Sequence, residues 1–269
     1  LFHISVIPYS VKFKQPAKTA RGAYTSHQVW YVLLTSDEQP EKWGIGECAP
    51  LPDLSCDATP DYEKRLRSIC RKIEQTGQLK TEELRPYPSI LFGLETAFRH
   101  FEKNNFALWD TPFSQENDGI FINGLIWMDN YAEMLKQIEN KLQSGFRCIK
   151  LKIGAISFNE ELKLLQHIRN HFSQKEIEIR VDANGAFSPS NALDKLNRLA
   201  ESDIHSIGQP IAAGQWETMA QLCAQSPMPI ALDEELIGCN QPDDKKRLPS
   251  AIRPHYIMLT PSLHGGISG

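Results

Sequence analysis

The chain has 269 residues, 29 Lys and Arg against 33 Asp and Glu, and a formal net charge of −4. That length is enough for one sizeable core or two smaller ones, and the absence of a basic excess argues against a nucleic-acid partner. No 18-residue apolar span is present, so no membrane-spanning helix and no membrane partner is expected. The six cysteines are scattered without a C-x-x-C pair and read as reduced thiols.

The first residues, L-F-H-I-S-V-I-P-Y, alternate as a strand does and carry no charged leader pattern, which predicts a cytoplasmic protein. Residues 3–13 and 28–35 are rich in β-branched and aromatic residues and predict two strands, with a third at 43–47. Between the first two, K-Q-P-A-K-T-A-R-G-A predicts a polar loop. After the third, C-A-P-L-P-D-L-S-C-D predicts a proline-rich one. Thr59-Pro60 predicts a capped helix start, with Tyr62, Leu66, Ile69 and Ile73 on one face. A second helix is expected from Ser89 to near His100, with Leu91, Leu94 and Phe98 inward. Three strands followed by two helices predict a small α+β domain over residues 1–118.

From there the pattern changes. Phe121 to Trp127 is a near-continuous apolar run, as expected of a strand covered on both faces. A helix is expected over 131–144, with Met134, Ile138 and Leu142 spaced by four and Gly145 as the stop. Further helices are marked by Phe158 to Ile168, by a cap at Ser188-Pro189, and by residues 215–225. The segment 237–251, with its D-D-K-K-R run, predicts irregular exposed surface. Strands are expected to begin near 121, 148, 177, 204, 229 and 255, which is the rhythm of repeated β-α units. A closed (β/α)₈ barrel takes about 250 residues, so residues 119–269 predict a partial barrel, cut after about six strands.

Five positions recur at the expected strand ends: Lys152, Asp182, Gly208, Asp233 and Thr260, spaced by 30, 26, 25 and 27 residues. In parallel barrels the chemistry sits at the carboxyl ends of the strands. Period two puts Lys150 and Lys152 on one face of C-I-K-L-K-I, and its apolar partners must meet the helix layer, so both lysines point inward. An edge strand with its lysines in water is the alternative, weakened because Glu178, Arg180 and Asp182 repeat the arrangement. Asp233 and Ala231 are inward by the same logic, and Glu234 should face the opposite way unless the strand end twists. D-A-N-G after Val181 is also good turn chemistry, so Asp182 and Asn184 have a bland reading as turn residues. Inward carboxylates suit a hard cation such as Mg²⁺. The cation can hold a substrate carboxylate while an adjacent carbon loses its proton to a lysine.

At these residues the chain resembles the enolase superfamily, in its muconate-lactonizing-like subgroup, and more closely the o-succinylbenzoate synthase family. The resemblance is carried by F-K-Q-P-A-K-T-A-R-G, G-I-G-E-C-A-P-L-P, F-G-L-E-T-A, I-N-G-L-I-W, K-L-K-I-G-A, R-V-D-A-N-G-A-F, A-L-D-E-E-L-I-G and P-S-L-H-G-G. It implies a lyase with an α+β capping domain over a (β/α)₇β barrel. The family reaction dehydrates 2-succinyl-6-hydroxy-2,4-cyclohexadiene-1-carboxylate to o-succinylbenzoate in menaquinone biosynthesis. Mg²⁺, or Mn²⁺ in its place, would rest on three carboxylates and the substrate would be a small carboxylate. Lys152 matches the base, Lys150 its companion, and Asp182 and Asp233 metal ligands. Arg21, Asn184 and Ser262 match substrate contacts, with Arg21 in the cap surface that closes over substrate. A homodimer is compatible with the resemblance. Two positions depart from it: Gly208 stands where a metal-binding glutamate is expected, and Thr260 where a second-face lysine is expected. The departures predict weakened Mg²⁺ binding and activity that is low or absent. An N-succinylamino acid or dipeptide racemase shares the chemistry but normally needs lysines on both faces. A non-catalytic homologue is the third reading, whereas a dinucleotide enzyme lacks its G-x-G-x-x-G.

Overall fold

A computed structural model describes residues 1–19 and 22–269. Three antiparallel strands come first, β1 (Phe2–Thr19), β2 (Gly22–Ser36) and β3 (Trp43–Cys48), in the order β1-β2-β3. Residues expected to be a loop between the first two are therefore strand: Ala17 pairs with Tyr24 and Lys18 with Ala23. The register shifts between Lys12 and Ala17, and Pro16, which has no N–H to give a ladder, lies inside that irregularity. Arg21 lies outside the described residues.

Helices α1 (Tyr62–Thr76), α2 (Thr81–Leu84) and α3 (Pro88–Lys103) follow. The Thr59-Pro60 start is displaced: α1 begins at Tyr62 after Asp61, and Thr59 bonds the Asp61 carboxylate instead of capping. The four apolar positions at helical spacing in α1 do face the sheet, where Leu66 and Ile73 join Val32, Leu34 and Leu94 in one core. Helix α3 approaches β3 closely enough that a Cβ on Gly46 would run into the Gly93 carbonyl. Glycine at both positions is what permits that contact.

The second sheet is parallel and six-stranded, in sequence order: β4 (Gly124–Ile126), β5 (Cys148–Lys152), β6 (Glu178–Asp182), β7 (Ser206–Gly208), β8 (Ile230–Leu232) and β9 (Tyr256–Ile257). Helices α4 (Tyr131–Gln143), α5 (Phe158–His171), α6 (Pro189–Ala200), α7 (Trp216–Gln225) and α8 (Pro242–Ile252) alternate with the strands. This is the β-α rhythm read from the sequence, and the architecture is that of a partial (β/α) barrel with an N-terminal cap. Ile149, Leu151, Ile179, Val181 and Ile207 are fully or almost fully buried in the core facing the helices. Asn130 caps α4 by accepting the Glu133 N–H, and Ser157 with Glu160 forms a capping box on α5.

Three expectations are corrected here. The apolar run at 121–127 is strand only over Gly124–Ile126, and Phe121 is 98% exposed. The described strands pair with β4 on one side only, so the start of the run has no layer to enter. The segment expected to be irregular contains α8, opened by Pro242 and buried through Leu248 and Ile252. Of its charge run, Asp243, Lys246 and Arg247 are on the exposed side of an amphipathic helix, while Lys245 turns in to donate to the His264 carbonyl. Ser188 precedes α6 without a side-chain cap, its hydroxyl meeting Ser190 instead. All six cysteines are free.

Candidate active site

Strand β5 ends with its two lysines side by side on the face away from the helices. Both Nζ atoms converge on one carboxylate oxygen of the neighbouring strand: Lys150 lies 2.8 Å and Lys152 2.7 Å from Asp182 Oδ2. The parallel register sets this meeting, since Lys152 stands opposite Asp182. Asp182 is fully buried and both lysines are nearly so, at 14% and 18% side-chain exposure. Burial would raise the Asp182 carboxyl, but the Lys152 and Lys150 ammoniums outweigh it and hold the group below its usual range. The edge-strand reading of the lysines is thus excluded.

The segment D-A-N-G at the end of β6 does form a turn. Asn184 takes a left-handed backbone, φ 45°, and Gly185 follows at φ 78°. Asn184 also donates its N–H to Asp182 Oδ1 at 3.1 Å and its side-chain amide to Glu234 Oε1 at 2.8 Å. Glu234 therefore does not face away as strand alternation requires. The chain leaves β8 with Asp233 at φ −131°, ψ −83° and enters a single 3₁₀ turn, which brings the side chains of both residues to the same cavity. Asp233 is pushed up to about 6, by burial first and then by the Glu234 and Asp182 charges.

These groups line a cavity of about 480 Å³ between the cap and the sheet. Lys150, Lys152, Asn184, Asp233, Glu234 and Thr260 supply its polar floor. The cap contributes Lys18, Tyr24 and residues of the proline-rich loop, among them Leu51 and Leu54. Lys18 reaches across to Asp129 at 2.6 Å, and the Tyr24 hydroxyl donates to Asp53 at 2.9 Å, tying the cap hairpin to the sheet and to its companion loop. Ser262 falls in the short turn between Thr260 and Leu263; those two line the cavity and Ser262 does not.

Gly208 pairs with Asp182 in register and is buried. A Cβ there would lie 3.1 Å from Asp182 Cγ and 3.2 Å from its Oδ1, so a side chain at 208 would emerge beside that carboxylate. Among the described residues no three His, Cys, Asp or Glu side chains converge as a cation site. Asp182 already takes two ammoniums on Oδ2 and an N–H on Oδ1. The residues present do not fit a three-carboxylate Mg²⁺ site.

Thr260 is held by His264, whose Nε2 accepts the Thr260 N–H at 2.9 Å. His264 is 2% exposed, and burial, followed by the Lys245 charge, pushes its ring from 6.5 down to about 4. The folded chain keeps this ring neutral while the unfolded chain protonates it near 6.5. Its stabilising effect is complete above pH 6.5 and is lost as pH falls toward about 4. The full loss corresponds to ~3 kcal/mol. Urea unfolding at pH 7.5 and 4.5 should therefore show a smaller pH dependence in His264→Gln than in the unaltered chain; identical dependence would remove His264 as the cause.

The family described as Enolase C-terminal domain-like matches residues 133–269. The chain is 40% identical to an o-succinylbenzoate synthase of Desulfotalea psychrophila, over 94% of this chain and 77% of that protein. The crystal structure of MenC from the same organism superposes with a TM-score of 0.83 at 35% identity, covering 99% of this chain and 80% of that one. The o-succinylbenzoate synthase of Thermosynechococcus elongatus, solved with Mg in its active site, shares the fold at a TM-score of 0.77 and 23% identity, covering 97% and 77%. No helix among the described residues is long and apolar enough to cross a membrane. With its cap, its parallel β-α sheet and this similarity along nearly its whole length, the chain belongs to the o-succinylbenzoate synthase family of hydro-lyases, within the muconate-lactonizing-like part of the enolase superfamily.

Proposed function

We propose that the cavity is the site of an o-succinylbenzoate synthase-type dehydration, in which Lys152 is the base. The observation that carries this reading is the convergence of Lys150 and Lys152 on Asp182 beneath the cap. An anionic substrate entering there meets two ammoniums at once. Its carboxylate can displace part of the Asp182 contact and take the Lys150 ammonium as partner, while Lys152, once it has released its own extra proton to solvent, removes as the neutral amine the proton alpha to that carboxylate. The electron pair left behind forms an enediolate, which collapses as the C–O bond on the ring breaks. Hydroxide leaves, takes the proton that Lys152 has just gained to become water, and the ring becomes aromatic with Lys152 again neutral. The apolar cap residues keep bulk water from the charged intermediate, where fixed ammoniums act most strongly.

Thr260 supplies no second ammonium, which favours one-base dehydration over racemisation. Turnover by full-length protein should vanish in Lys152→Ala, measured by the appearance of o-succinylbenzoate. Unchanged turnover in that variant would exclude Lys152 as the base.

Of the three carboxylates that the family resemblance implies, Asp182 and Asp233 remain, and Asp182 is already engaged by the two lysines. Weak binding is the expected result. Gly208→Glu would set a third carboxylate against Asp182, a repulsion that a cation relieves. Millimolar Mg²⁺ should raise the melting temperature of Gly208→Glu by several degrees more than that of the unaltered chain. Equal shifts would show that position 208 does not reach the cation.

A further inference from the structure

Strand alternation cannot explain why Asp233 and Glu234 share the cavity, and the cause lies one layer below them. Gln209 is fully buried, and all four hydrogen-bonding valences of its side-chain amide are used. Its Oε1 accepts the N–H groups of Asp233 at 3.2 Å and Glu235 at 3.3 Å. Its Nε2 donates to the Ile211 carbonyl and to Glu235 Oε2, each at 3.0 Å. The other Glu235 oxygen accepts the Gly214 N–H at 2.7 Å. The Gln209 backbone adds two more ties, donating to the Ala231 carbonyl and accepting the Gly185 N–H.

One side chain therefore gathers two successive odd-numbered N–H groups, 233 and 235, that a continuing strand would give to a neighbouring strand. Taking both on one oxygen bends the chain into the 3₁₀ turn at Glu234 and rotates that side chain toward the cavity. Glu234 then receives the Asn184 amide, and Asn184 bonds Asp182, the carboxylate on which both lysines rest. The path runs from β7 through β8 to β6 without passing through the lysines.

We propose that Gln209 and Glu235 are positioning residues that set the Glu234–Asn184–Asp182 side of the cavity, touching no substrate themselves. The inference builds on the cavity being the substrate site. A satisfied buried polar network of this kind specifies one backbone path, because each alternative leaves a buried group unpaired.

The test is Gln209→Met, which keeps the volume and removes both acceptor and donor. Two readouts are followed on full-length protein: the Asn184 side-chain amide resonances, and calorimetric binding of o-succinylbenzoate. The Asn184 signals should move toward those of a solvent-exposed amide, and affinity should fall about tenfold, as expected where a hydrogen bond to a charged group is lost. Gln209→Glu should do the same, since it faces one carboxylate with another. Adding Glu235→Gln to it restores a donor–acceptor pair and should recover both readouts, which also covers the case in which Gln209→Met does not fold. Unmoved Asn184 signals and unchanged affinity in a folded single variant would overturn the inference. Should the unaltered chain bind no o-succinylbenzoate, it is the functional reading that fails, and the amide signals alone then decide the role of Gln209.

Discussion

Asp182→Ala is expected to destabilise the chain more than any other single change at the cavity. It leaves two ammoniums, 14% and 18% exposed, facing one another without the carboxylate that holds them. Removing one partner of a buried ion pair costs about 3–5 kcal/mol, because the remaining charge stays desolvated. The cavity admits water to the lysines, which places this loss at the lower end, ~3 kcal/mol. Asp182→Asn keeps the volume and an acceptor for the Asn184 N–H but not the charge, so it should fall between. Urea unfolding of the three proteins at pH 7 measures this directly from the midpoints at unchanged slope. A loss below ~1 kcal/mol in Asp182→Ala would mean the lysines are as comfortable in water as against the aspartate, as in an exposed pair.

The largest effect on rate is expected from restoring the two departures together. Thr260 lies on the cavity wall without a charge, and Gly208 offers no carboxylate beside Asp182 from its own strand. Losing one preorganised stabilising group commonly costs 10²–10³ in rate, or ~3–4 kcal/mol. Thr260→Lys should therefore raise dehydration by about two orders of magnitude, provided the cation site is also present. Gly208→Glu acts through the cation, so the two effects overlap and the double variant is not the product of the singles. The assay compares full-length protein carrying Gly208 and Thr260 with both singles and the double. Rapid turnover before any restoration would show that neither position limits the reaction. Absence of turnover in the double variant would move the weight to a homologue that binds a small acid without converting it.

Position 208 also constrains how restoration can succeed. The Cβ of a side chain there comes within 3.1–3.5 Å of three Asp182 side-chain atoms, so Asp182 must give by a few tenths of an ångström. Its two lysine contacts are the bonds that would be disturbed. Gly208→Glu should thus be less stable than the unaltered chain in chelator. The pairing of Lys150 and Lys152 with Asp182 and the presence of glycine at 208 are structurally compatible features of one site.

What could be read from the sequence was whatever periodicity controls. The β-α alternation from residue 121 onward, the inward face of K-L-K, and the five strand-end positions follow from period two and from the length of a β-α unit. Three of those positions, Lys152, Asp233 and Thr260, line one cavity together with Lys150, two residues before Lys152 on the same strand, and the other two, Asp182 and Gly208, are buried and paired in register. The sequence could also show that 208 and 260 carry no suitable side chain, because that is a matter of residue identity.

The tertiary structure alone decided the rest, and in each instance a partner distant in sequence overrode a local pattern. Glu234 turns inward because Gln209 captures the N–H groups on either side of it. The apolar run at Phe121 is exposed because, among the described strands, β4 pairs with β5 alone and only from Gly124 onward. Residues that look like a loop around Ala17 are strand because β2 offers them a ladder. The D-D-K-K-R run became helix because Leu248 and Ile252 found the barrel core. Local propensity is worth tenths of a kcal/mol per residue, whereas a buried side chain or a satisfied buried hydrogen bond is worth about one or more, so tertiary partners win wherever the two disagree.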